Sequence, residues 1–217
     1  MLPNQTTPSE SLAIAIANDL RAYGYSIQEK ALPEAMVAAL RQSMTSEGVS
    51  DFKPAGVGRG GGHRQERSIR GDHIAWIEPT DPAKEQWLDW AASLQVELNR
   101  RLLLGLFSFE SHFAHYAPGA FYKTHLDAFK GQANRVLSVV TYLNQDWREE
   151  FGGELILYEP DNADKALVRV PPLAGTLVVF LSEEFPHEVR PSTVDRYSIA
   201  GWYRCNSSVL GVVDPPA

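Results

Sequence analysis

The second half of the chain, from Phe107 to Tyr203, is a series of short segments with a β-strand pattern, separated by turn residues. Strands are predicted near 108–116, 121–127, 135–143, 154–158, 166–170, 175–181, 187–190 and 196–203. Between them lie the pairs Pro118-Gly119, Gly152-Gly153, Pro160-Asp161, Pro171-Pro172 and Pro191-Ser192. Eight short strands in this arrangement favour a double-stranded β-helix, or jelly roll.

The first half has a helical pattern. Helices are predicted over 9–23, from Pro33 to Gly48 and from 81 to about 104, with short strands at 25–27 and up to Ile77. In the third helix Trp87 and Trp90 belong to a wide apolar stripe, so we expect them in the core. The predicted fold is therefore mainly β with helical support, a jelly-roll core packed against N-terminal helices.

We predict one domain over 1–217. It comprises 1–106 as helical support with a loop and a strand, 107–204 as the jelly-roll core, and 205–217 as a tail.

Charge and composition exclude several classes of protein. The net charge of −7 argues against a nucleic-acid binder, which needs a basic surface. The single cysteine, Cys205, fits a reducing compartment, and residues 1–10 have no basic residue before a short apolar run. No apolar run reaches the ~20 residues of a membrane span. The expectation is a cytoplasmic protein that binds neither nucleic acid nor membrane.

A candidate metal site begins at His125 and Asp127. Residues two apart on a strand share a face, with Cα atoms ~6.6 Å apart, so an imidazole and a carboxylate there can converge on one ion. His187, at the start of a later strand, can supply a second imidazole. Two histidines and one carboxylate are the ligand set that holds Fe(II) with open positions.

Arg196 lies nine residues after His187, on a strand where Ser198, Ala200 and Trp202 share its face. A guanidinium that points into a core is costly unless it meets an anion. Its planar fork suits a carboxylate. An Arg facing a metal-bearing cavity therefore suggests a bound dicarboxylate.

The segment 51–68 contains four glycines within 58–62 and is locally basic. Three interpretations remain open: a solvated loop, a short RNA-binding segment, or a lid that touches a substrate. Elsewhere we interpret His112 and His115 as strand residues and His63 and His73 as exposed side chains, none of them a metal ligand.

With these residues in place, the chain resembles the iron- and 2-oxoglutarate-dependent dioxygenases, and among them the prolyl 4-hydroxylases of the oxygen-sensing, egg-laying-nine type and their bacterial relatives. The matching stretches are Ile69–Asp72, Ala75–Glu78, Tyr116, Tyr122, His125–Asp127, Tyr142–Trp147, Gly152–Gly153, Pro186–Val189, Arg196–Tyr197 and Trp202–Tyr203.

The resemblance implies roles for these residues. His125, Asp127 and His187 would bind Fe(II), and Arg196 and Tyr142 would hold the distal carboxylate of 2-oxoglutarate. The rest of the cosubstrate pocket would be Tyr116, Leu155, Val189, Ser198 and Trp202. Tyr122, Arg70 and Asp72 would face the substrate.

The implied reaction couples O2 and 2-oxoglutarate decarboxylation to trans-4-hydroxylation of a proline in a protein, with ascorbate as a reductant. Bacterial relatives suggest a translation factor as the protein substrate. One alternative is a 2-oxoglutarate oxygenase that acts on a small molecule or a nucleic-acid base. Another is a cupin-like binding module without catalysis.

Overall fold

The computed structural model describes residues 7–46, 52–56, 68–128 and 134–206. Its helices are α1 (Glu10–Tyr23), α2 (Glu34–Ser46) and α3 (Pro82–Leu102). Ser9 caps α1 by accepting from the Leu12 amide, and Gly24 ends it at φ 78°. Asp81 caps α3 ahead of Pro82. The three predicted helices are confirmed, with ends within about two residues.

Eleven strands are described. They are β1 (Tyr25–Gln28), β2 (Lys53–Pro54), β3 (His73–Trp76), β4 (Leu106–Tyr116), β5 (Tyr122–His125), β6 (Arg135–Tyr142), β7 (Leu155–Glu159), β8 (Asn162–Val170), β9 (Leu177–Leu181), β10 (His187–Val189) and β11 (Arg196–Cys205).

Most strand boundaries lie within two residues of the sequence prediction, and two differences have a structural meaning. β5 ends at His125, so Asp127 lies just beyond the strand rather than within it. β8 begins at Asn162 rather than 166, because its first residues are polar and exposed and only backbone pairing with β7 makes them a strand.

The strands form two antiparallel sheets. The larger has the order β1-β9-β6-β11-β4-β3-β2, and the smaller has the order β5-β10-β7-β8. Three strands of the larger sheet come from the N-terminal half, which therefore extends the sheet as well as covering it. The jelly-roll prediction is confirmed.

Alternation along the strands divides the interior into two cores. In β9, Leu177 and Val179 belong to the core shared with the helices, whereas Val178 and Phe180 belong to the second core. The stacked rings of Trp87 and Trp90, 5.7 Å apart, anchor the helical core as predicted. The second core includes residues of both sheets and surrounds the candidate site.

The segment before β3 covers the outer side of β5. The Gly71 amide donates to the Phe121 carbonyl and the Lys123 amide to the Ile69 carbonyl, each at 2.9 Å. Arg70 forms an isolated antiparallel bridge with Tyr122. This pairing brings the predicted substrate-facing residues next to a strand that carries a predicted metal ligand.

Most of the glycine-rich segment, 57–67 with His63, and the tail from 207 lie outside the described residues. Among the helices that are described, none is long and apolar enough to cross a bilayer.

Candidate metal centre and cosubstrate pocket

The three predicted metal ligands meet between the two sheets. His125 and His187 are register partners on β5 and β10. The Nε2 atom of His125 lies 3.7 Å from Oδ1 of Asp127, and that of His187 lies 3.6 Å from Oδ2. Their ligand atoms all lie within 4.8 Å of one another. Two imidazoles and a carboxylate at this separation fit the donor set that holds Fe(II) on one face.

Hydrogen bonds fix which nitrogen each imidazole presents. Nδ1 of His125 lies 2.8 Å from the Lys123 carbonyl, and Nδ1 of His187 lies 3.0 Å from the Phe185 carbonyl. A carbonyl oxygen only accepts, so Nδ1 carries the proton in both rings. The Nε2 lone pairs are thus free to bind a metal.

The charges of the cluster also suit metal binding. Burial, reinforced by the neighbouring His187, lowers the pKa of His125 well below its usual range. Burial alone would raise the pKa of Asp127, but the two histidines and a hydrogen bond from Ser138 outweigh it and lower that pKa. Near neutral pH the cluster therefore offers a neutral imidazole at His125 and an ionised carboxylate.

The guanidinium of Arg196 is buried in the same interior, with a relative exposure of 1%. Its Nε donates to the Gly153 carbonyl at 2.8 Å and its Nη1 to Oγ of Ser198 at 3.1 Å. Its Nη2 and the hydroxyl of Tyr142 have no hydrogen-bond partner within the described residues. A carboxylate is the group that would satisfy both donors and neutralise the charge.

Aromatic rings and a glycine shape the space around Arg196. Its guanidinium lies 5.1 Å from the ring centre of Tyr116 and 5.2 Å from that of Tyr142. Burial raises the pKa of Tyr142 to about 12 against the opposing Arg196 charge, so its hydroxyl keeps its proton. Gly153 has φ 76°, and a Cβ there would lie 3.0 Å from both Trp147 and Ser192.

The remaining residues predicted to line the pocket are all buried. Leu155 and Val189 are buried register partners on β7 and β10. Trp202 is buried and lies beside Asp127. Ser198 accepts from Arg196, which leaves its own hydroxyl hydrogen available as a further donor.

The three residues predicted to face a substrate form a stacked row. The Tyr122 ring lies on the His125 imidazole with ring centres 3.6 Å apart, and the Arg70 guanidinium lies over Tyr122 at 4.2 Å. Asp72 is buried and holds Arg70 through two hydrogen bonds of 2.8 and 2.6 Å. Arg70 and Asp72 therefore pair with each other, and Tyr122 packs against His125, a candidate metal ligand.

The sequence interpretation missed a pair of buried serines. Ser138 donates to Oδ2 of Asp127 at 2.6 Å, and Oγ of Ser182 lies 2.9 Å from Oγ of Ser138. Ser138 lies four residues before Tyr142 on β6 and shares its face. Strand β6 also carries the hydroxyls of Thr141 and Tyr142, so the Ser138 hydroxyl alone gave no signal in the sequence.

The other histidines within the described residues lie outside the cluster. His112 and His115 are strand residues of β4, as predicted. His73 is half-buried in β3 rather than exposed, because β4 pairs alongside it. Burial lowers the pKa of His112 to about 4, so it is neutral near pH 7.

Comparison of the sequence and structure with known proteins shows which family the chain belongs to. The sequence pattern of the 2OG-Fe(II) oxygenase superfamily matches residues 111–204. A Pseudomonas putida prolyl-4-hydroxylase superposes with a TM-score of 0.80 and 41% identity, over 90% of this chain and 100% of that one. The chain belongs to the 2OG-Fe(II) oxygenase superfamily. The resemblance identified from the sequence is confirmed.

Two further relatives within the superfamily are similar. A Trichoplax adhaerens prolyl hydroxylase, solved with a peptide fragment of the hypoxia inducible factor oxygen degradation domain, has a TM-score of 0.78 and 28% identity. That match covers 92% of this chain and 95% of the other. Human Egl nine homolog 1 is 29% identical over 145 residues, 63% of this chain. The chain spans about a third of that protein, 33% of its length.

Proposed function

We propose that this oxygenase hydroxylates a prolyl residue of a protein, at C4, using Fe(II), 2-oxoglutarate and O2. The observation that carries the proposal is the unsatisfied pair of buried donors, Arg196 Nη2 and Tyr142 Oη, in the same interior as the His125, Asp127 and His187 cluster. The 41% identity to a prolyl-4-hydroxylase supports proline as the target.

In the proposal, one group of side chains binds the metal and another binds 2-oxoglutarate. Ser138, beside Asp127, and Tyr142 lie four residues apart on β6, ~13 Å along the backbone. In the proposal the three ligands hold the metal, while Arg196, oriented by Gly153 and Ser198, holds the distal carboxylate of 2-oxoglutarate. When bound, iron and 2-oxoglutarate supply the oxidising power for hydroxylation.

Tyr142 adds a second hydrogen bond to that carboxylate, and the buried rings and aliphatic side chains exclude water from it. Tyr116 forms one wall of the pocket beside Arg196. Leu155, Val189 and Trp202 form other walls.

The substrate side of the site is proposed to lie around Tyr122. In this proposal Arg70 and Asp72 hold the Tyr122 ring in place and leave its far edge for the substrate. The Trichoplax adhaerens relative, solved with a peptide fragment, supports an extended protein segment as the ligand.

The proposed setting is the cytoplasm, where a single cysteine stays reduced. A translation factor is the candidate protein substrate. Ascorbate as the reductant stays a prediction.

The test uses purified protein with Fe(II), 2-oxoglutarate and O2, and lysate proteins of the source cell as substrates. We expect a mass increase of one oxygen on a prolyl residue of a particular protein, with matched release of succinate. Peptides that carry the modified sequence then serve as defined substrates, and the same peptides with alanine in place of the proline serve as controls.

The Tyr158→Phe variant is a matched control for loss of a tyrosine hydroxyl, because Tyr158 donates to Glu188 rather than into the pocket. It should keep the activity, whereas Tyr142→Phe should lower it and Arg196→Gln should lose it. Oxidation of a small metabolite with no modified prolyl residue in any protein would refute the proposal.

A further inference from the structure

Hydrogen bonds set the orientation of each candidate metal ligand in the cluster. His125 and His187 lie on strands and donate Nδ1–H to backbone carbonyls. Asp127 lies beyond the end of β5, outside the strand ladder. Its carboxylate accepts from the Ser138 hydroxyl, 2.6 Å from Oδ2, and the Trp202 indole lies beside it.

The direction of the serine contacts follows from their hydrogens. A hydroxyl carries one hydrogen, and a carboxylate only accepts, so Ser138 donates to Asp127. In the 2.9 Å contact with Ser182, Ser138 must then accept. The hydrogen bonds therefore run in one direction, from Ser182 to Ser138 to Asp127.

The two serines occupy rigid positions. Ser138 is 1% exposed in β6, and Ser182 is 0% exposed where β9 ends. The Ser182 amide donates to the Val136 carbonyl at 3.0 Å, which ties it to the strand that carries Ser138. Two adjacent strands of the larger sheet thus fix both hydroxyls.

We infer that Ser182 and Ser138 form a serine relay that orients the Asp127 carboxylate for the metal, with Ser138 and Ser182 as positioning residues. The relay rests on the proposed metal site but not on the proposed substrate. Its strength is measured by metal affinity, so the reaction itself is not needed.

The test is Mn(II) titration of the full chain, followed by the electron paramagnetic resonance signal of free Mn(II). Ser138→Ala should weaken Mn(II) binding by roughly 10- to 100-fold, the usual loss when a group that orients a metal ligand is removed. Ser138→Thr keeps the hydroxyl and should restore most of the affinity. Asp127→Ala, which removes the ligand, should abolish saturable binding.

The double variant tests the direction of the relay. Ser182→Ala should weaken binding less than Ser138→Ala, because Ser138 still donates to Asp127. Ser138→Ala with Ser182→Ala should bind as Ser138→Ala does, because Ser182 acts only through Ser138. Losses that add in the double variant would overturn the relay.

Ser111→Ala is the matched control for a buried hydroxyl. Ser111 is 1% exposed and accepts from the Trp87 indole on the helical side. It should lower thermal stability and leave Mn(II) affinity unchanged. The Co(II) absorption spectrum gives a second measure, and it should change in Ser138→Ala but not in Ser111→Ala.

Two results would overturn the inference: wild-type affinity in Ser138→Ala, or no saturable binding in the wild-type chain. If the variants behave as expected while no prolyl residue is hydroxylated, the relay stands and the proposed function fails. If a prolyl residue is hydroxylated while Ser138→Ala keeps its Mn(II) affinity, the proposed function stands and the relay fails.

Discussion

At the scale of single residues, Tyr142 illustrates a conflict between stability and binding. Its buried hydroxyl makes no hydrogen bond of good geometry among the described residues, although the Arg196 guanidinium lies close to it. An unmet buried donor costs about 1–3 kcal/mol in the absence of a ligand. A bound anionic group that accepts a hydrogen bond from this hydroxyl removes the cost, and the difference adds to the affinity for that group. We therefore expect Tyr142 to contribute to ligand affinity and not to the free energy of unfolding.

The Tyr142→Phe variant should weaken 2-oxoglutarate binding by roughly ten- to hundredfold, since a hydrogen bond to a charged group contributes about 1.5–3 kcal/mol. Its free energy of unfolding without ligand should equal or exceed that of the wild type. Anaerobic titration with Mn(II) present and urea unfolding measure the two quantities. Loss of stability with unchanged affinity would contradict this assignment.

His112 gives a pH-dependent prediction at the same scale. Its pKa is about 4 in the folded chain against 6.5 as the ordinary value, because burial disfavours the charged ring. Between pH 6.5 and 4 the unfolded chain binds a proton that the folded chain does not, so stability falls as the pH falls.

The contribution of His112 approaches about 1.4 kcal/mol per pH unit within that window. His112→Phe keeps an aromatic ring against Trp76 and Trp202 and removes the titration. Urea unfolding at pH 7.5, 6 and 5 should show a shallower fall for the variant. Parallel curves for the two proteins would show that His112 protonates freely in the fold.

At the scale of elements, the segment before β3 depends on the ion pair of Arg70 and Asp72. The side chains are 12% and 0% exposed, so neither charge has enough water if its partner is removed. The pair also brings Arg70 over Tyr122 and Tyr122 onto His125. Its loss should affect the segment and the metal ligand together.

Asp72→Asn should therefore lower the free energy of unfolding by about 3 kcal/mol, the cost of breaking a buried pair. The matched control is Glu150→Gln, which breaks an exposed pair with Arg148 and should cost under about 1 kcal/mol. Urea unfolding compares the two. Equal losses would mean that water screens the Arg70 pair as well.

Sequence reasoning located the elements that carry a side-chain pattern. The strand pattern predicted β4, β6, β9 and β11, and spaced motifs predicted that the two histidines and the aspartate of the cluster would come together. It missed the start of β8, whose polar residues have no buried face to produce alternation. It also missed Ser138 and Ser182, because a hydroxyl gains its role from a partner distant in sequence.

At the scale of the whole molecule, the proposed metal site and 2-oxoglutarate pocket lie between the two sheets. Strands of both sheets contribute ligands or pocket residues, so occupation of the site should stabilise the entire fold. This coupling follows from mass action and needs no conformational change.

Mn(II) and 2-oxoglutarate, each at a hundred times its Kd, should each add about 2.7 kcal/mol to the stability of the folded state. For a chain of this size that corresponds to roughly 5–10 °C in Tm per ligand. In Arg196→Gln the Mn(II) increment should remain and the 2-oxoglutarate increment should vanish. Differential scanning calorimetry without O2 measures both, and a 2-oxoglutarate increment that survives in the variant would contradict the pocket.

The outer edge of the smaller sheet has a consequence for behaviour at high concentration. Within the described residues β8 pairs only with β7, and its free side presents unpaired backbone groups and the exposed Leu167. The strand also carries the exposed charged side chains of Asp164, Lys165 and Arg169, of which Lys165 pairs with Glu159 of β7 at 2.6 Å. These charges disfavour pairing of β8 with the same strand of a neighbouring copy, so we expect their neutralisation to increase self-association at high concentration.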